Sequence, residues 1–407
     1  MRIFRSLFII VISFTIIVSC KRSPQHTDSA LLIEQYFDSL SAKNMFCGTV
    51  VFKEGDKIKS GRAYGIANLE LNTPFTLETH MEIASVSKQF TAVAIMMLYN
   101  DRRIDIDSPV NNYLPVTIPF EDITIRHLLT HTSGLPHYED YFYKKWPEDK
   151  YCYNKDILDY YHGLDTYPIF APGTAFEYNN GGYILLAEIV DHVSGLSLDK
   201  FLDMYICKPF GMLSTGFVDR SGMITDSKFA PGYMYDSVSN KYILADSAKG
   251  KEYYSFLSKR LGPGRLTTTV LDLSIWDSLL STNALLPYDM IHEMITPYKL
   301  NNDSLTTNYA FGWHVSHDTD TGWHCFHSGS WAGNKAYISR FFQSIHCEAG
   351  LSPVQNGNDR DNQNNTTEMI PDNSVIIFSN TNSSYTSIIY NYVDSIIIKH
   401  RKEMLNR

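Results

Sequence analysis

Ser85 and Lys88 place a hydroxyl and an amine three residues apart, as Ser85-Val86-Ser87-Lys88. On a helix that separation is about one turn, so both side chains share a face. A serine hydroxyl is a weak nucleophile until a neighbour takes its proton. A lysine can take it only when burial or adjacent positive charge lowers its pKa. The residues that follow supply the burial. Phe90, Ala92, Val93, Ala94, Ile95, Met96, Met97 and Leu98 are apolar almost all round, the mark of a helix in the centre of a domain. A helix start also brings backbone N–H groups beside Ser85, where an oxyanion would develop.

Spacing alone is weak evidence, because Ser197-Leu198-Asp199-Lys200 repeats it. That serine follows Ser194-Gly195 and fits the N-cap of an amphipathic helix. Two further segments distinguish the first tetrad. Tyr178-Asn179-Asn180 lies between Pro172-Gly173 and Gly181-Gly182. A loop tyrosine serves as acid or base when a cation stands near it. Asn180 could hold that cation or a substrate amide. The last segment is His327-Ser328-Gly329-Ser330, followed by Trp331-Ala332-Gly333. Small residues at Ser328 and Gly329 would let a ligand approach the strand backbone. The Ser330 N–H could then be a second oxyanion donor, paired with that of Ser85.

The elements that must position these groups follow from hydrophobic period. A first helix is expected over 31–43, then strands over 48–52 and 62–71 joined through a turn at Glu54-Gly55-Asp56. Helices are expected over 85–99, 125–130, 183–193 and 271–280. Strands return over 311–316, 323–326, 335–341 and 374–379, before a last helix over 387–402. Strands at both ends and a helical middle imply one α/β lobe built from both termini with an inserted helical lobe. The boundaries are about 31–84 and 300–407 for the α/β lobe and about 85–299 for the helical one. Residues 355–367 are rich in Asn, Asp and Gln, so about 350–370 is read as a flexible insertion.

The three chemical segments, in this order, resemble the Ser-x-x-Lys, Tyr-x-Asn and Lys/His-x-Gly motifs of the serine β-lactamase and penicillin-binding-protein superfamily. They are most similar to its class C β-lactamase, D-alanyl-D-alanine carboxypeptidase and esterase group. Longer stretches carry the likeness too: Glu82-Ile83-Ala84 before Ser85, Ile123-Thr124-Ile125-Arg126-His127-Leu128-Leu129-Thr130-His131-Thr132-Ser133-Gly134-Leu135-Pro136, and Ala171-Pro172-Gly173 leading to Tyr178. Together they span about residues 48–380. The resemblance implies an α/β (α+β) fold of the β-lactamase/transpeptidase kind, an antiparallel sheet flanked by helices plus a mainly helical lobe. It implies Ser85 as acyl-accepting nucleophile, with Lys88 and Tyr178 moving protons. Asn180, His327, Gly329 and Ser330 would bind substrate or support the site. It implies no cofactor and no metal. Substrates would be D-amino peptides, acyl esters or β-lactams. His327 stands where β-lactamases usually have lysine, which tilts the expectation toward a peptidase or esterase. Arg265 in Gly262-Pro263-Gly264-Arg265-Leu266 departs from the family pattern. A lipid-anchored sensor that binds penicillins without turnover is the alternative.

The bulk properties agree. The chain has 407 residues, 44% hydrophobic and 19% charged, which is a globular composition. A net charge of −9 without a Lys/Arg stripe argues against nucleic acid as partner. Arg2 and Arg5 precede an apolar run over 7–18, shorter than the ~20 residues of a membrane span. Residues 1–20 therefore read as a signal peptide. Ile17-Val18-Ser19-Cys20 resembles a bacterial lipobox, with lipid on Cys20, a tether over 21–30, and attachment to a membrane of the cell envelope facing periplasm or cell surface. Five cysteines remain after Cys20, an odd number without a C-x-x-C pair, so neither a disulfide framework nor a zinc ribbon is expected. His314-x-x-His317 and His324-x-x-His327 fall in or beside expected strands, where residues three apart face opposite sides. His127 and His131 lack the glutamate of a metalloprotease helix. A Gly-x-Ser-x-Gly nucleophile elbow is absent, which sets aside the α/β-hydrolases.

Overall fold

The computed structural model describes residues 28–301, 305–342, 371–381 and 385–405. Cys20 and the stretch 355–367 lie outside the described residues. Six antiparallel strands form the main sheet: β1 Gly48–Glu54, β2 Lys57–Tyr64, β3 His314–Asp318, β4 Gly322–Trp331, β5 Asn334–Phe342 and β6 Asn373–Ser379. Their order is β3-β4-β5-β6-β1-β2, so the two ends of the chain pair where β6 meets β1. Both faces of this sheet are covered. Val50 and Phe52 of β1 and Val375 and Ile377 of β6 point to one face. The helices α1 Ser29–Ala42 and α5 Thr386–Leu405 close that face with Ile33, Phe37, Val393 and Ile397. Val51, Ile376 and Phe378 point the other way into a larger core. Period-2 alternation with two covered faces explains the nearly unbroken apolar runs of β1 and β6.

That larger core is organised by α2 Lys88–Asn100 and α3 Asn180–Ser194. In α2 every residue from Lys88 to Met96 is buried, as its all-round apolar sequence demands. Phe90 stacks on Trp276 at 3.8 Å between ring centroids. Trp276 belongs to α4 Val270–Leu279, which packs on β1 and β6 although it falls inside the stretch expected to be helical lobe. A fully buried charge cluster fixes that contact. Asp277 of α4 accepts hydrogen bonds from Lys53 of β1 at 2.6 Å, Arg340 of β5 at 2.8 Å and Ser374 of β6 at 2.8 Å.

The antiparallel sheet and its flanking helices agree with the sequence reading. The edges of elements differ for local reasons. The strand expected over 62–71 breaks at Gly65, which takes φ +74°. The strand expected over 311–316 begins only at His314. Gly312 turns at φ +81°, and a Cβ there would meet the Gln89 backbone nitrogen at 2.9 Å. β4 does not stop at residue 326 but runs on to Trp331, because Gly329 pairs with Ala336 in the ladder. Cys152, Cys207 and Cys325 are buried free thiols, and Cys47 is a half-buried one.

Candidate active site

The nucleophile segment is a 3₁₀ turn, Ala84–Ser87, that feeds directly into α2 at Lys88. Residues three apart eclipse each other in a 3₁₀ turn, so Ser85 and Lys88 align more closely than on an α-helix. The turn is pinned behind. Ile83 N–H donates to the Leu266 carbonyl at 2.9 Å, and Leu266 N–H donates to Ser87 Oγ at 3.2 Å. Ala84 sits at φ +46°, a left-handed position that costs a residue with a side chain about 1 kcal/mol. Arg265 also takes positive φ, +79°, and its buried guanidinium holds the Glu82 carboxylate together with Arg220. Its remaining donors go to the Ser258 carbonyl at 2.7 Å and the Val218 carbonyl at 3.2 Å. The departure from the family pattern at this position is thus an ion cluster that braces the start of the nucleophile turn.

Lys88 is 0% exposed, and its Nζ meets three groups. Asn180 Oδ1 accepts at 2.9 Å, the Pro263 carbonyl accepts at 2.8 Å, and Ser85 Oγ lies at 3.3 Å. The orientation of Asn180 is set from its other side, where Nδ2 donates to Glu139 Oε1 at 2.9 Å. A neutral amine has two N–H groups and one lone pair. Lys88 Nζ donates to all three groups; in the neutral amine the two carbonyl acceptors would take both N–H groups and leave the lone pair for the Ser85 hydroxyl. Burial holds the Lys88 pKa well below the ordinary lysine value, the Arg260 charge lowers it further, and Glu139 opposes both. The second tetrad has none of this. Lys200 is exposed, and Ser197 occupies an N-cap position without making a capping side-chain bond.

Tyr178 lies beside this pair, its ring 4.7 Å from Lys88 Nζ. Its hydroxyl is buried without a partner in normal hydrogen-bond geometry. Burial pushes its pKa up, with Ser85 as the polar group that counteracts the rise, so the phenol is protonated at rest. Asn179 is the N-cap of α3, its side chain accepting from Gly182 N–H at 3.2 Å. Its own N–H donates to His131 Nδ1 at 3.1 Å, and the His131 ring lies 4.2 Å from that of Tyr178. Burial keeps His131 neutral by lowering its pKa. His131 and Asn179 thus fix the helix start that presents Tyr178 and Asn180 to Lys88.

The third segment is placed differently from expectation at Gly329. The ring centroids of His327 and Tyr178 are 6.2 Å apart. His327 Nδ1–H donates to the Ser328 carbonyl at 2.8 Å, so Nε2 accepts from the Tyr309 hydroxyl at 3.0 Å. Burial, reinforced by His314 and Lys88, lowers the His327 pKa and keeps the ring uncharged. Gly329 does not leave room for a ligand. A Cβ there would sit 2.1 Å from the Ile83 carbonyl oxygen and 3.2 Å from Ser85 N, so the vacancy is filled by the nucleophile turn itself. Gly329→Ala is therefore expected to push β4 off that turn. A displacement of about 1 Å costs about 10²-fold in rate, so kcat should fall about 10²-fold in a hydrolysis assay. Ser330 lines a small cavity of about 60 Å³ with Ser85, Asn180 and Trp331. The strand pair His324 and His327 does face opposite sides, His324 stacking on Phe341 at 4.2 Å between centroids.

Four contributors escape the sequence. Glu139 touches Asn180, Tyr309 holds His327, the Pro263 carbonyl holds Lys88, and Arg260 lines the cavity. Glu139 follows three residues after Pro136, Arg260 lies two residues before Gly262-Pro263-Gly264-Arg265-Leu266 and Pro263 within it, so for these three proximity to a marked motif was the available signal.

The sequence profile of the Beta-lactamase family matches residues 33–347. Penicillin-binding protein 4* of Bacillus subtilis (strain 168) is 33% identical over 312 residues, 76% of this chain and 68% of that protein. Teichoic acid D-alanine hydrolase of Staphylococcus aureus is 26% identical over 241 residues, 59% of this chain and 55% of that protein. The crystal structure of a penicillin binding protein from Bacillus halodurans superposes with a TM-score of 0.68 at 24% identity, covering 88% of this chain and 99% of that one.

Proposed function

The chain belongs to the Beta-lactamase family of serine hydrolases, and from that premise we propose that it cleaves D-alanyl amides or esters through an acyl-Ser85 intermediate. The observation that carries this reading is the coordination of Lys88. Lys88 Nζ donates to two carbonyl oxygens and to Ser85 Oγ; in the neutral amine the two carbonyls hold both N–H groups and the lone pair faces Ser85 Oγ, which is the arrangement of a general base. In the proposed cycle Ser85 Oγ attacks the substrate carbonyl carbon, and its proton passes to Lys88. The oxyanion is held by the N–H groups of Ser85 and Ser330. Tyr178 donates its proton to the departing nitrogen or oxygen and regains one from Lys88. Water then enters by the same route and frees the acid. Tyr178 is the donor and Lys88 the acceptor in this cycle because burial raises the phenol pKa and lowers the amine pKa.

The uncharged His327 supports substrates other than β-lactams, and the D-alanine hydrolase relative supports a D-alanyl acyl group. In this reading Cys20 carries lipid, and the domain stands at the bacterial cell envelope among D-amino peptides.

The test is intact-protein mass spectrometry after exposure to a reporter penicillin or a D-alanyl ester. The expected adduct maps to Ser85. Ser85→Ala loses it, together with about 10⁴-fold or more of hydrolysis, while Ser197→Ala keeps both. An adduct on another residue refutes the assignment. A Ser85 adduct that never turns over makes the protein a penicillin-binding sensor instead.

A further inference from the structure

A second cavity, of about 280 Å³, opens at the far end of α2, against about 60 Å³ for the one beside Ser85. Small-molecule sites begin near this size. Tyr99 and Asn100, the last two residues of α2, line it. Tyr99 stands about 16 Å along the helix from Lys88, so the two cavities are separate. Arg102 and Arg103 also line it, with Asp105 the one acid among the lining residues, in a chain of net charge −9. The helix ends in a cap that suits glycine. Arg103 N–H donates to the Leu98 carbonyl at 3.0 Å, and Arg102 N–H donates to the Tyr99 carbonyl at 2.9 Å. Arg102 holds the left-handed position of that cap at φ +58°, where glycine is the ordinary occupant. The same bonds cover the negative end of the helix, which would otherwise repel an anion. Arg103 is anchored by Nη2, which donates to the Val193 carbonyl near the end of α3. The Arg102 guanidinium has no hydrogen bond or ion pair among the described residues. Asp105 is engaged by Asp107 N–H at 3.1 Å and the Ser108 hydroxyl at 3.0 Å. The other acids whose charge reaches Tyr99, Asp107 and Glu293, are paired with Arg126. The Tyr113 hydroxyl accepts from Asp105 N–H at 3.0 Å, which leaves its own proton to donate.

We propose that this cavity binds a small organic anion, a carboxylate or phosphate carried on an apolar body, through Arg102, Arg103 and Tyr113. An arginine occupies a backbone position shaped for glycine, and its side chain lines the cavity without serving a contact of the fold among the described residues. A guanidinium matches either oxyanion with parallel hydrogen bonds. The two arginines come from adjacent residues of one hydrogen-bonded cap, so little freedom is lost on binding. Ile104 and Met290 supply the apolar wall for the body of the ligand. The inference stands apart from the acyl-serine reading and uses none of its residues.

The test is isothermal titration calorimetry of the full chain with benzoate, phenyl phosphate, inorganic phosphate and benzyl alcohol. Benzoate or phenyl phosphate should bind one to one, more tightly than inorganic phosphate or the neutral benzyl alcohol. Whichever of the two binds tighter identifies the oxyanion. Arg102→Gly should weaken that binding about 10-fold or more, the worth of one charge-assisted hydrogen bond. The same variant should melt no lower than the wild type, because glycine suits the left-handed position. Arg102→Lys, which keeps the charge without the fork, should bind between the two. Arg260→Gln, in the catalytic cavity, should leave the binding unchanged. Equal binding by the wild type and Arg102→Gly refutes the proposal. Loss of binding in Arg260→Gln instead puts the anion beside Ser85 and refutes it as well. Benzyl alcohol binding as tightly as benzoate makes this an apolar pocket without anion recognition, which is again a refutation. A lower melting temperature in Arg102→Gly gives the arginine a structural role and overturns the argument for a ligand. If none of the four probes saturates in the millimolar range, the cavity is not a binding site.

Discussion

Lys88→Met should lower kcat/KM about 10²–10⁴-fold, the usual contribution of a positioned general base, while leaving the fold intact. Methionine approximates the lysine stem, and the buried site loses only an amine. The mechanistic signature is the acid limb of the pH–rate profile. Only unprotonated Lys88 accepts the Ser85 proton, so activity falls as pH drops through the Lys88 pKa. Arg260 lowers that pKa and Glu139 raises it, with burial the largest influence. Arg260→Gln removes a neighbouring positive charge, so the pKa rises and the limb moves to higher pH. Glu139→Gln removes a negative charge, so the limb moves to lower pH. Opposite shifts in two variants, measured as kcat/KM on an uncharged ester, identify the titrating group as one standing between Arg260 and Glu139. A limb that stays put in both variants removes Lys88 as the base.

Asp277→Ala should be the most damaging substitution for stability, by about 3–5 kcal/mol, because it strands two buried cations at once. Asp277 lies within hydrogen-bond distance of Lys53 and Arg340, and all three side chains are essentially inaccessible. Burial alone would raise the Asp277 pKa. The Arg340 and Lys53 charges outweigh it and hold the carboxyl below its ordinary value. A depressed folded-state pKa stabilises the protein above the unfolded carboxylate pKa, about 3.9. That contribution is lost as pH falls from there through the lower folded value. Denaturant midpoints measured down a pH series should therefore drop steeply below about pH 4, and Asp277→Ala should flatten that drop. Asp277→Asn keeps one acceptor and should cost less than alanine. An alanine variant within 1 kcal/mol of wild type, an order set by ordinary surface changes, contradicts this assignment.

The fold was readable because its signals are periodic and long. The apolar run after Lys88 reads as a buried helix, and the runs at 48–52 and 374–379 read as strands, although their cover on both faces shows only in the structure. The nucleophile turn was readable as a spacing but not as a 3₁₀ turn, since both geometries tolerate Ser-x-x-Lys. Gly329 was legible as a close approach, but not whose backbone approaches; the residue types at Ile83 and Gly329 carry no trace of the 2.1 Å contact a Cβ would make. His327 was seen, yet its partner Tyr309 is one of 27 tyrosines and carries no local mark. Arg260 and Glu139 escaped because a lone charged residue reads as a solvated one until tertiary burial shows otherwise.

The Gly329 contact also sets a schedule for the chain. Ser85 and Lys88 emerge early in synthesis, but each wall of their site arrives late. Asn180 comes about ninety residues after Lys88, Pro263 after it, and the strand that lies against Ser85 only at Gly322–Trp331. Contacts of such sequence separation form slowly and only once the intervening chain is in place. A nascent or truncated chain ending before β4 would carry the nucleophile and its base with no organised place for a carbonyl. Under the acyl-serine reading, reactivity waits until β4 has formed, and a chain that stops short of Gly322–Trp331 has no means of acylating itself on whatever it meets along the way.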